Sequence, residues 1–247
     1  MIAEINHLNS IVRIDLSKPL DISVPALSEK NVTVWGNDLP QKKIIKSVID
    51  GDSVNFNRIS FSPHSHMTHT ECLGHITTHP YSINQILKRF FFLAELITIH
   101  PKVSGDDTVI TKSLLENLLK DKTIEALIIR TTPNTASKKQ KNYTNTNWTY
   151  FEKEAIDFLV EKNITHLLVD TPSIDKEQDD GKLLGHHAFW RMYGNDSQRQ
   201  LATITECIFV PNHIKDGVYV LNLQVAPFEN NASPSRPILY EVEALSF

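Results

Sequence analysis

Residues 62–79 read SPHSHMTHTECLGHITTH, and this window holds five of the eleven histidines of the chain together with one glutamate. The window contains His64, His66, His69, His75, His79 and Glu71. Imidazole and carboxylate side chains are the ligands that zinc, manganese and iron share. A lone histidine usually lies on a solvated surface, but a shared face of imidazoles and a carboxylate is costly to pack without a cation. The window therefore predicts a metal site, with His66 and His79 left open as ligands.

The spacing of His69 and Glu71 indicates how this window folds. Residues two apart on a strand point to the same face, and the flanking threonines favour an extended backbone because they are β-branched. Gly74 permits a tight turn that would bring His75 back toward the same site. We expect a strand through residues 68–71 followed by a turn.

Two later stretches carry further candidate ligands, VDTPSIDKEQDDGKLLGHHAFW at 169–190 and ATITECIFV at 202–210. His186 and His187 open a short segment of helical character. Glu206 lies within an apolar strand, where a carboxylate is costly unless it is exposed, protonated or bound to a cation. We interpret Glu206 as cation-binding, with an edge-strand position that faces water as the alternative.

Motifs of several other enzyme classes are incomplete or absent in this sequence. His69-Thr70-Glu71 matches the H-x-E start of a zinc nucleobase deaminase, but the required P-C-x-x-C is lacking. The chain has no H-E-x-x-H, G-x-S-x-G, G-x-G-x-x-G or P-loop. Gly51-Asp52-Ser53 is similar to a serine esterase block, but no Asp-x-x-His pair lies near the C-terminus, so we interpret it as a turn.

Composition indicates a globular protein with a small-molecule partner. The 247 residues, 40% hydrophobic and 22% charged, fit one domain over 1–247. The net charge of -4 is spread along the chain, so we expect neither a nucleic-acid nor a membrane partner. The N-terminus lacks the pattern of a secretory signal, so we expect a cytoplasmic protein. Cys72 and Cys207 are predicted to be reduced thiols.

The apolar pattern predicts an α/β protein, a mixed sheet covered by a few helices. Strands are predicted at 59–62, 96–100, 126–130, 166–170, 204–210, 217–226 and 238–244. Helices are predicted at 82–93, 113–119 and 151–162, with Ser82 and Ser113 as N-caps. The polar segment 131–149 predicts a long solvated loop, with a lid as the alternative.

The run 64–75 resembles the signature H-x-G-T-H-x-D-x-P-x-H of the cyclase-like metal-dependent hydrolases, which include bacterial kynurenine formamidase and isatin hydrolase. Five further segments of this sequence resemble later blocks of that family. They are 128–131, 170–175, the segment at His186, the strand at Glu206 and 232–236. The resemblance spans most of the chain. It implies the swivelling β/β/α cyclase-like fold and a homodimer or larger assembly.

The same resemblance implies the roles of individual residues. The metal ligands it implies are His64, His69, Glu71, His186 and Glu206, which would hold one or two divalent ions, zinc first and manganese second. His75 is implied to transfer protons beside the metal, and Glu206 is counted with it as catalytic. The implied reaction is hydrolysis of a C–N bond in a linear or cyclic amide, as in an arylformamidase. A non-catalytic binding protein and an esterase or lactonase are the alternatives.

Four departures from the family signature bear on these expectations. One extra residue separates His64 from His69, Met67 occupies the glycine position, Glu71 replaces aspartate and Leu73 replaces proline. A residue other than glycine at position 67 disfavours a backbone with φ > 0. Because the Glu71 side chain is one methylene longer than that of aspartate, its carboxylate binds a metal only if the Glu71 backbone lies farther from the metal.

Aromatic residues supply the candidates for substrate contact. Trp35, in a loop-like stretch before Gly36, is predicted to stack on an aromatic substrate. The Phe90–Phe92 run is interpreted as core packing between helix and sheet. Tyr143 and Trp148 lie in the predicted loop at 131–149.

Overall fold

A ten-stranded mixed sheet forms the centre of the computed structural model, which describes residues 1–7, 10–27, 30–119, 124–193 and 196–246. The strands are β1 (Ile2–His7), β2 (Ser10–Asp15), β3 (Leu20–Asp21), β4 (Gln41–Lys46), β5 (Phe56–Ser60), β6 (His69–Cys72), β7 (Phe91–Ile99), β8 (Lys102–Ser104), β9 (Asp107–Ile110), β10 (Ala126–Thr131), β11 (Tyr150–Phe151), β12 (His166–Val169), β13 (Met192–Tyr193), β14 (Asp196–Ser197), β15 (Thr203–Glu206), β16 (Gly217–Val225) and β17 (Ala232–Ser246). The α-helices are α1 (Pro63–His66), α2 (Ile83–Ile86), α3 (Lys112–Leu119), α4 (Lys153–Glu161) and α5 (Leu184–Phe189). The predicted α/β class is confirmed.

The long strand β17 closes the sheet on itself. Its residues 232–234 pair with β6, and residues 235–241 pair with β16. Between them the strand order is β16-β7-β10-β12-β15-β6, so these strands and β17 form a closed ring within the described residues. Closure pairs the strands on both sides and leaves the ring without a free edge. Strands β2 and β3 pair with β17 outside the ring, and β1 pairs with β2.

The parallel strands of the ring are buried on both faces. Strand β10 pairs in parallel with β7 and β12, and β12 with β15. Leu127 and Ile129 of β10 belong to a cluster that includes residues of α3 and α4. Ala126 and Ile128 belong to the cluster on the opposite face, built with residues of β7, β16 and β17. Burial on both sides explains the continuous apolar run in β10.

Two of the three predicted helices are confirmed, and one is wrong beyond its first turn. The predictions at 113–119 and 151–162 correspond to α3 and α4. The helix predicted at 82–93 ends at Ile86, and β7 begins at Phe91. Phe92 packs inside the ring while Leu93 packs on the opposite face. This alternation across a sheet outweighs the local helical periodicity.

The predicted N-caps and core phenylalanines need correction. Ser82 stands at the N-cap of α2 but makes no side-chain capping hydrogen bond, and Ser113 lies inside α3. Of the three phenylalanines predicted to pack in the core, Phe92 is 3% exposed, whereas Phe90 and Phe91 are 37% and 43% exposed.

Six of the seven predicted strands correspond to ring strands, β7, β10, β12, β15, β16 and β17. Strand β15 ends earlier than predicted, at Glu206, because Cys207 has a φ of 55° that a strand cannot continue. The strand predicted at 59–62 overlaps β5, which pairs with β4 in a separate hairpin. The sequence pattern does not predict β1 and β2.

The segment 131–149 is irregular, but the predicted solvated loop is wrong for its two large aromatic residues. Tyr143 and Trp148 are 6% and 4% exposed and pack in a cluster with Val34 and Phe209. The Trp148 indole N–H donates to the Asp175 carbonyl oxygen at 2.9 Å. Both side chains are therefore core residues that anchor the segment.

None of the helices in the described ranges combines the length and apolar character needed to cross a membrane.

The buried His166 at the start of β12 should make the fold sensitive to acid. Burial lowers the pKa of His166 to about 3, with repulsion from Arg89 and Arg199 as further causes. Its unfolded pKa is near 6.5, so the unfolded chain binds the proton first and stability is lost as the pH falls below about 6.5. Between pH 7 and pH 5 we expect wild type to lose about 2 kcal/mol more than His166→Gln. Urea unfolding at the two pH values measures this difference, and equal losses in both proteins would contradict it.

Candidate metal centre

The antiparallel pairing of β6 with β15 brings together three predicted ligands. Its register places Glu206 directly opposite His69. Glu71 lies two residues after His69 on β6 and shares its face, as predicted. All three residues are buried. Glu206 Oε2 lies 3.4 Å from His69 Nε2, so the water-facing alternative for Glu206 is wrong.

The short helix α1 carries His64 into the same cluster, although one extra residue separates His64 from His69. His64 Nδ1 lies 3.2 Å from Glu71 Oε2, and its ring centroid lies 4.9 Å from that of His69. Met67 follows α1 with a φ of -163°, an extended conformation that any residue adopts. The additional residue and the loss of the signature glycine are therefore both compatible with the cluster.

Helix α5 supplies His186, whose Nε2 lies 3.0 Å from Glu71 Oε1 and 3.9 Å from Glu206 Oε1. Asp175 orients this helix terminus and the ring together. Its Oδ1 accepts the Gly185 backbone N–H at 2.6 Å, and its Oδ2 accepts the His186 backbone N–H at 3.1 Å and ring Nδ1–H at 2.5 Å. A Cβ at Gly185 would lie 2.9 Å from Asp175 Oδ1, so glycine permits this close approach.

Three imidazoles of the cluster, those of His64, His69 and His186, are each held by one nitrogen and present the other to the centre. His64 Nε2 bonds Asn231 Oδ1 at 3.0 Å, and His69 Nδ1 bonds the Met67 carbonyl oxygen at 3.1 Å. Because these acceptors require an N–H, the opposite nitrogen of each ring, when the ring is neutral, carries the lone pair that a cation binds. His186 is held through Nδ1 in the same way. Such outer hydrogen bonds are what orient metal-binding histidines.

Two sets of ligand atoms lie within 4.8 Å of one another, His64 with His69 and Glu71, and Glu71 with His75 and His186. Glu71 belongs to both sets. Two of the buried atoms, His69 Nε2 and Glu71 Oε2, have no hydrogen-bond partner within the described ranges. Leaving buried polar atoms unpaired is costly, and a divalent cation between them would satisfy both. The donor set thus fits a metal.

The two carboxyl groups of the cluster differ in protonation. Burial raises the pKa of Glu206 to about 8, and repulsion from Glu71 adds to the rise. Burial also raises the pKa of Glu71, but attraction to His75 and His186 outweighs it, so this pKa lies well below its usual range. Glu71 is therefore ionised at neutral pH and Glu206 retains its proton. A cation would replace that proton because it favours the ionised form of both groups.

His75 lies at the exposed side of the cluster, with 31% of its side chain accessible. Its ring stacks on His64 with 4.2 Å between centroids, and its Nε2 lies 3.8 Å from Glu71 Oε2. A Cβ at Gly74 would lie 2.2 Å from the Tyr81 carbonyl oxygen. Glycine is thus required before His75 because of a close backbone approach rather than a left-handed φ.

The remaining histidines of the two regions lie outside the cluster. His66 Nδ1 accepts the Ser62 backbone N–H at 3.0 Å, and its Nε2 donates to the Asp38 carbonyl oxygen at 2.7 Å. Both nitrogens of His66 are therefore occupied. His187 is exposed on α5, and His79 is exposed beside Tyr81, with 4.4 Å between the ring centroids.

Trp35 is connected to the cluster through a second tryptophan. It is 44% exposed, has a φ of 63°, and its ring lies edge-on to Trp148 with 4.8 Å between centroids. Trp148 bonds Asp175, the residue that orients His186. The stacking of Trp35 on a substrate stays a prediction.

Sequence reasoning missed two residues that orient ligands, Asp175 and Asn231. Asp175 is the last residue of the block 170–175, which resembles a block of the family, and this position could have identified Asp175 as a candidate site residue. Asn231 follows another asparagine in a polar turn before β17, and nothing in the sequence distinguishes it from an ordinary loop residue.

Comparison with known proteins gives consistent matches over most of the chain. It is 26% identical over 229 residues to kynurenine formamidase of Bacillus anthracis, which covers 90% of this chain and 97% of the relative. The fold is similar to that of isatin hydrolase A from Labrenzia aggregata bound to benzyl benzoate, with a TM-score of 0.70, 17% identity and coverage of 92% and 94%. It is also similar to a potential metal-dependent hydrolase with cyclase activity, with a TM-score of 0.67, 16% identity and coverage of 92% and 99%.

The sequence profile of the family described as "Putative cyclase" matches residues 14–176. This range covers more than half of the chain and contains the signature run 64–75 with His64, His69, Glu71 and His75. The chain therefore belongs to the cyclase family.

Proposed function

We propose that this protein is a metal-dependent hydrolase that cleaves the C–N bond of a linear or cyclic amide. The observation that carries the proposal is a pair of buried ligand atoms, His69 Nε2 and Glu71 Oε2, that lack a hydrogen-bond partner in the described part of the chain and lie within a cluster of imidazoles and carboxylates. The similar proteins support it, because their names denote a formamide and a cyclic amide as substrates.

The cluster offers places for one or two divalent ions. His64, His69 and Glu71 would hold one ion. Glu71 and His186 would hold a second, with Glu206 as its third ligand, because Glu206 Oε1 lies 3.9 Å from His186 Nε2. Nitrogen and oxygen donors of this kind suit zinc first and manganese second. When bound, such an ion polarises a carbonyl group and lowers the pKa of water from about 15.7 toward about 7.

His75 is the residue that we assign to proton transfer. Burial lowers its pKa to about 4, so its imidazole is neutral at pH 7 and Nε2 can accept a proton from the attacking water. The same nitrogen then returns the proton to the leaving nitrogen as the C–N bond breaks. Without a metal, burial raises the pKa of Glu206 to about 8, and Glu206 would give up this proton on binding the second ion, where it acts as a ligand.

The exposed ring of Trp35 favours an aromatic substrate. A flat indole face at the surface, close to Trp148, offers stacking to an aryl group. We therefore propose an arylformamidase-like specificity, for N-formyl aromatic amines and related cyclic amides.

Metal removal tests the proposed function. After dialysis against a chelator, hydrolysis of an N-formyl aromatic amine should be lost, and added zinc or manganese should restore it, because the ligands remain in place. Amine release and metal content measured on the same samples check this. Full activity after exhaustive metal removal would contradict metal dependence. A lactone cleaved in preference to every amide would contradict C–N bond specificity and favour the esterase or lactonase.

A further inference from the structure

Two adjoining cavities lie where the parallel strands of the ring begin, beside His166, the first residue of β12. The smaller cavity, of about 370 Å³, is lined by His166 and by residues of α2 and β7. The larger cavity, of about 550 Å³, is lined chiefly by residues 197–202. Thr165 and Leu201 line both, so the two cavities share a wall. Cavities of this size are typical of small-molecule sites.

These cavities lie at the opposite end of the strands from the metal centre. Glu206 is the last residue of β15, whereas Thr203, the first residue of β15, pairs with His166. The rise from Thr203 to Glu206 along an extended strand is about 10 Å. None of the described residues that line the cavities is a proposed metal ligand. A molecule bound in the cavities would therefore occupy a second site.

His166 gives the smaller cavity a buried polar group. The residue is 4% exposed, and its ring packs on Phe92 with 4.0 Å between the ring centroids. Its Nδ1 is hydrogen-bonded to Thr203 Oγ1 at 2.8 Å. Its Nε2 has no hydrogen-bond partner among the described residues, and protein atoms do not enclose it completely. An unused hydrogen-bonding atom at a cavity wall indicates a ligand with a polar group.

The charged residues around the two cavities are mostly basic. Lys88, Arg89 and Arg199 line them together with one acid, Glu125, so their net charge is +2 in a chain whose net charge is -4. Arg89 forms an ion pair with Glu125. Arg199 donates to two backbone carbonyl oxygens near the end of α4, and no carboxylate in the described part of the chain pairs with it. A half-buried guanidinium without an acid favours an anionic ligand.

The two kinds of group lie close together. Burial lowers the pKa of His166, and repulsion from Arg89 and Arg199 adds to this effect, so both guanidinium groups lie near the ring. On the other side, Leu87 and Phe92 are buried, whereas Leu201 is 68% exposed at the shared wall. A ligand that covers Leu201 gains the free energy of burying its apolar surface. The cavities thus offer apolar contact beside an imidazole and a guanidinium.

We propose that these cavities bind an apolar carboxylate, a small molecule with an aromatic ring or hydrocarbon chain and one acid group. The apolar part packs against Leu87 and Phe92, and the carboxylate lies at the shared wall between His166 and Arg199. If the Thr203 hydroxyl donates to Nδ1 of His166, the ring proton lies on Nε2 and can be donated to the ligand. Arg199 has five N–H donors, more than its two carbonyl contacts use. Binding here does not depend on hydrolysis at the metal centre, so either proposal can fail without the other.

Calorimetric titration of the full chain with naphthylacetate tests the site. This probe combines a carboxylate with an aromatic group and should bind with a Kd of about 0.1 mM. Acetate lacks the apolar part and naphthylethanol lacks the charge, so each should bind at least about 10-fold more weakly. Naphthylethanol that binds as tightly as naphthylacetate would overturn the carboxylate assignment. No binding of naphthylacetate at about 5 mM would overturn the site itself.

Variants of the cavity wall locate the bound probe. Leu201→Glu places a negative charge at the shared wall, on an exposed side chain, and should weaken binding of naphthylacetate at least about 10-fold. Arg199→Gln removes the cation and should weaken it by a similar factor. Val103→Glu is the matched control, because Val103 is 71% exposed on β8, outside both cavities, and this variant should bind like wild type.

Glu71→Gln separates this site from the metal centre. Since no proposed metal ligand lines the cavities, the variant should bind naphthylacetate as tightly as wild type. Loss of binding in Glu71→Gln would place the probe at the metal centre and overturn the proposal. Circular dichroism checks that each variant is folded. Wild-type affinity in both folded wall variants, Leu201→Glu and Arg199→Gln, would overturn the proposal as well.

Discussion

Glu71→Gln should remove the bound metal and nearly all hydrolytic activity. Glu71 is the one residue shared by both sets of ligand atoms within the described ranges, and its oxygens lie 3.2 Å from His64 Nδ1 and 3.0 Å from His186 Nε2. Glutamine keeps the shape but loses the negative charge that a cation needs. We expect a fall in turnover of about 1,000-fold or more, together with loss of metal. Metal analysis and turnover of the same preparation measure both.

Two further substitutions control this experiment. Glu206→Gln leaves the set of His64, His69 and Glu71 complete, so it should keep the first ion and lose the second. Glu71→Asp restores the family residue but shortens a side chain whose oxygens already reach both histidines, so metal should bind more weakly. A Glu71→Gln protein with wild-type metal content would refute the shared-ligand assignment.

The fold was predictable where local pattern and tertiary packing agree. The apolar run of β10 and the amphipathic helices α3 and α4 follow from their sequences, because burial on both faces or on one face leaves a direct pattern. The structure of the region 82–93 was not predictable from its own pattern. Residues Phe91–Ile99 form a strand because they pair with β16, which lies more than 100 residues away in the sequence. Ring closure by β17 likewise depends on its pairing with β6, which no local pattern encodes.

The cluster was more predictable than its surroundings. Alternation on an extended strand places His69 beside Glu71, and burial cost identifies Glu206 as a residue in need of a partner. Local pattern could not show that His66 bonds Ser62 and Asp38 instead, because this depends on the path that the chain takes between residues 38 and 62. The role of Asn231 could not be predicted for the same reason, because its hydrogen-bond partner His64 is 167 residues away in the sequence.

His75→Gln should abolish turnover while metal stays bound, the result that separates an enzyme from a binding protein. The proposed ligands do not include His75, which lies at the exposed side of the cluster with Nε2 3.8 Å from Glu71 Oε2. Glutamine cannot exchange a proton near neutral pH, so the loss should match that of a general acid–base group, about 100- to 10,000-fold in kcat. Stopped assays of amine release and metal analysis measure the two quantities.

His79→Gln is the matched control, because His79 is exposed four residues further along the chain and bonds none of the cluster. It should keep both metal and turnover. Loss of metal in His75→Gln would instead make His75 a ligand, in line with its place within 4.8 Å of Glu71 and His186 ligand atoms. Unchanged turnover in His75→Gln would refute the assigned proton transfer, and a wild-type protein that binds metal but turns over no amide would establish the binding protein. Because Glu71→Gln removes metal and His75→Gln leaves it, the pair separates the loss of the ion from the loss of the proton carrier.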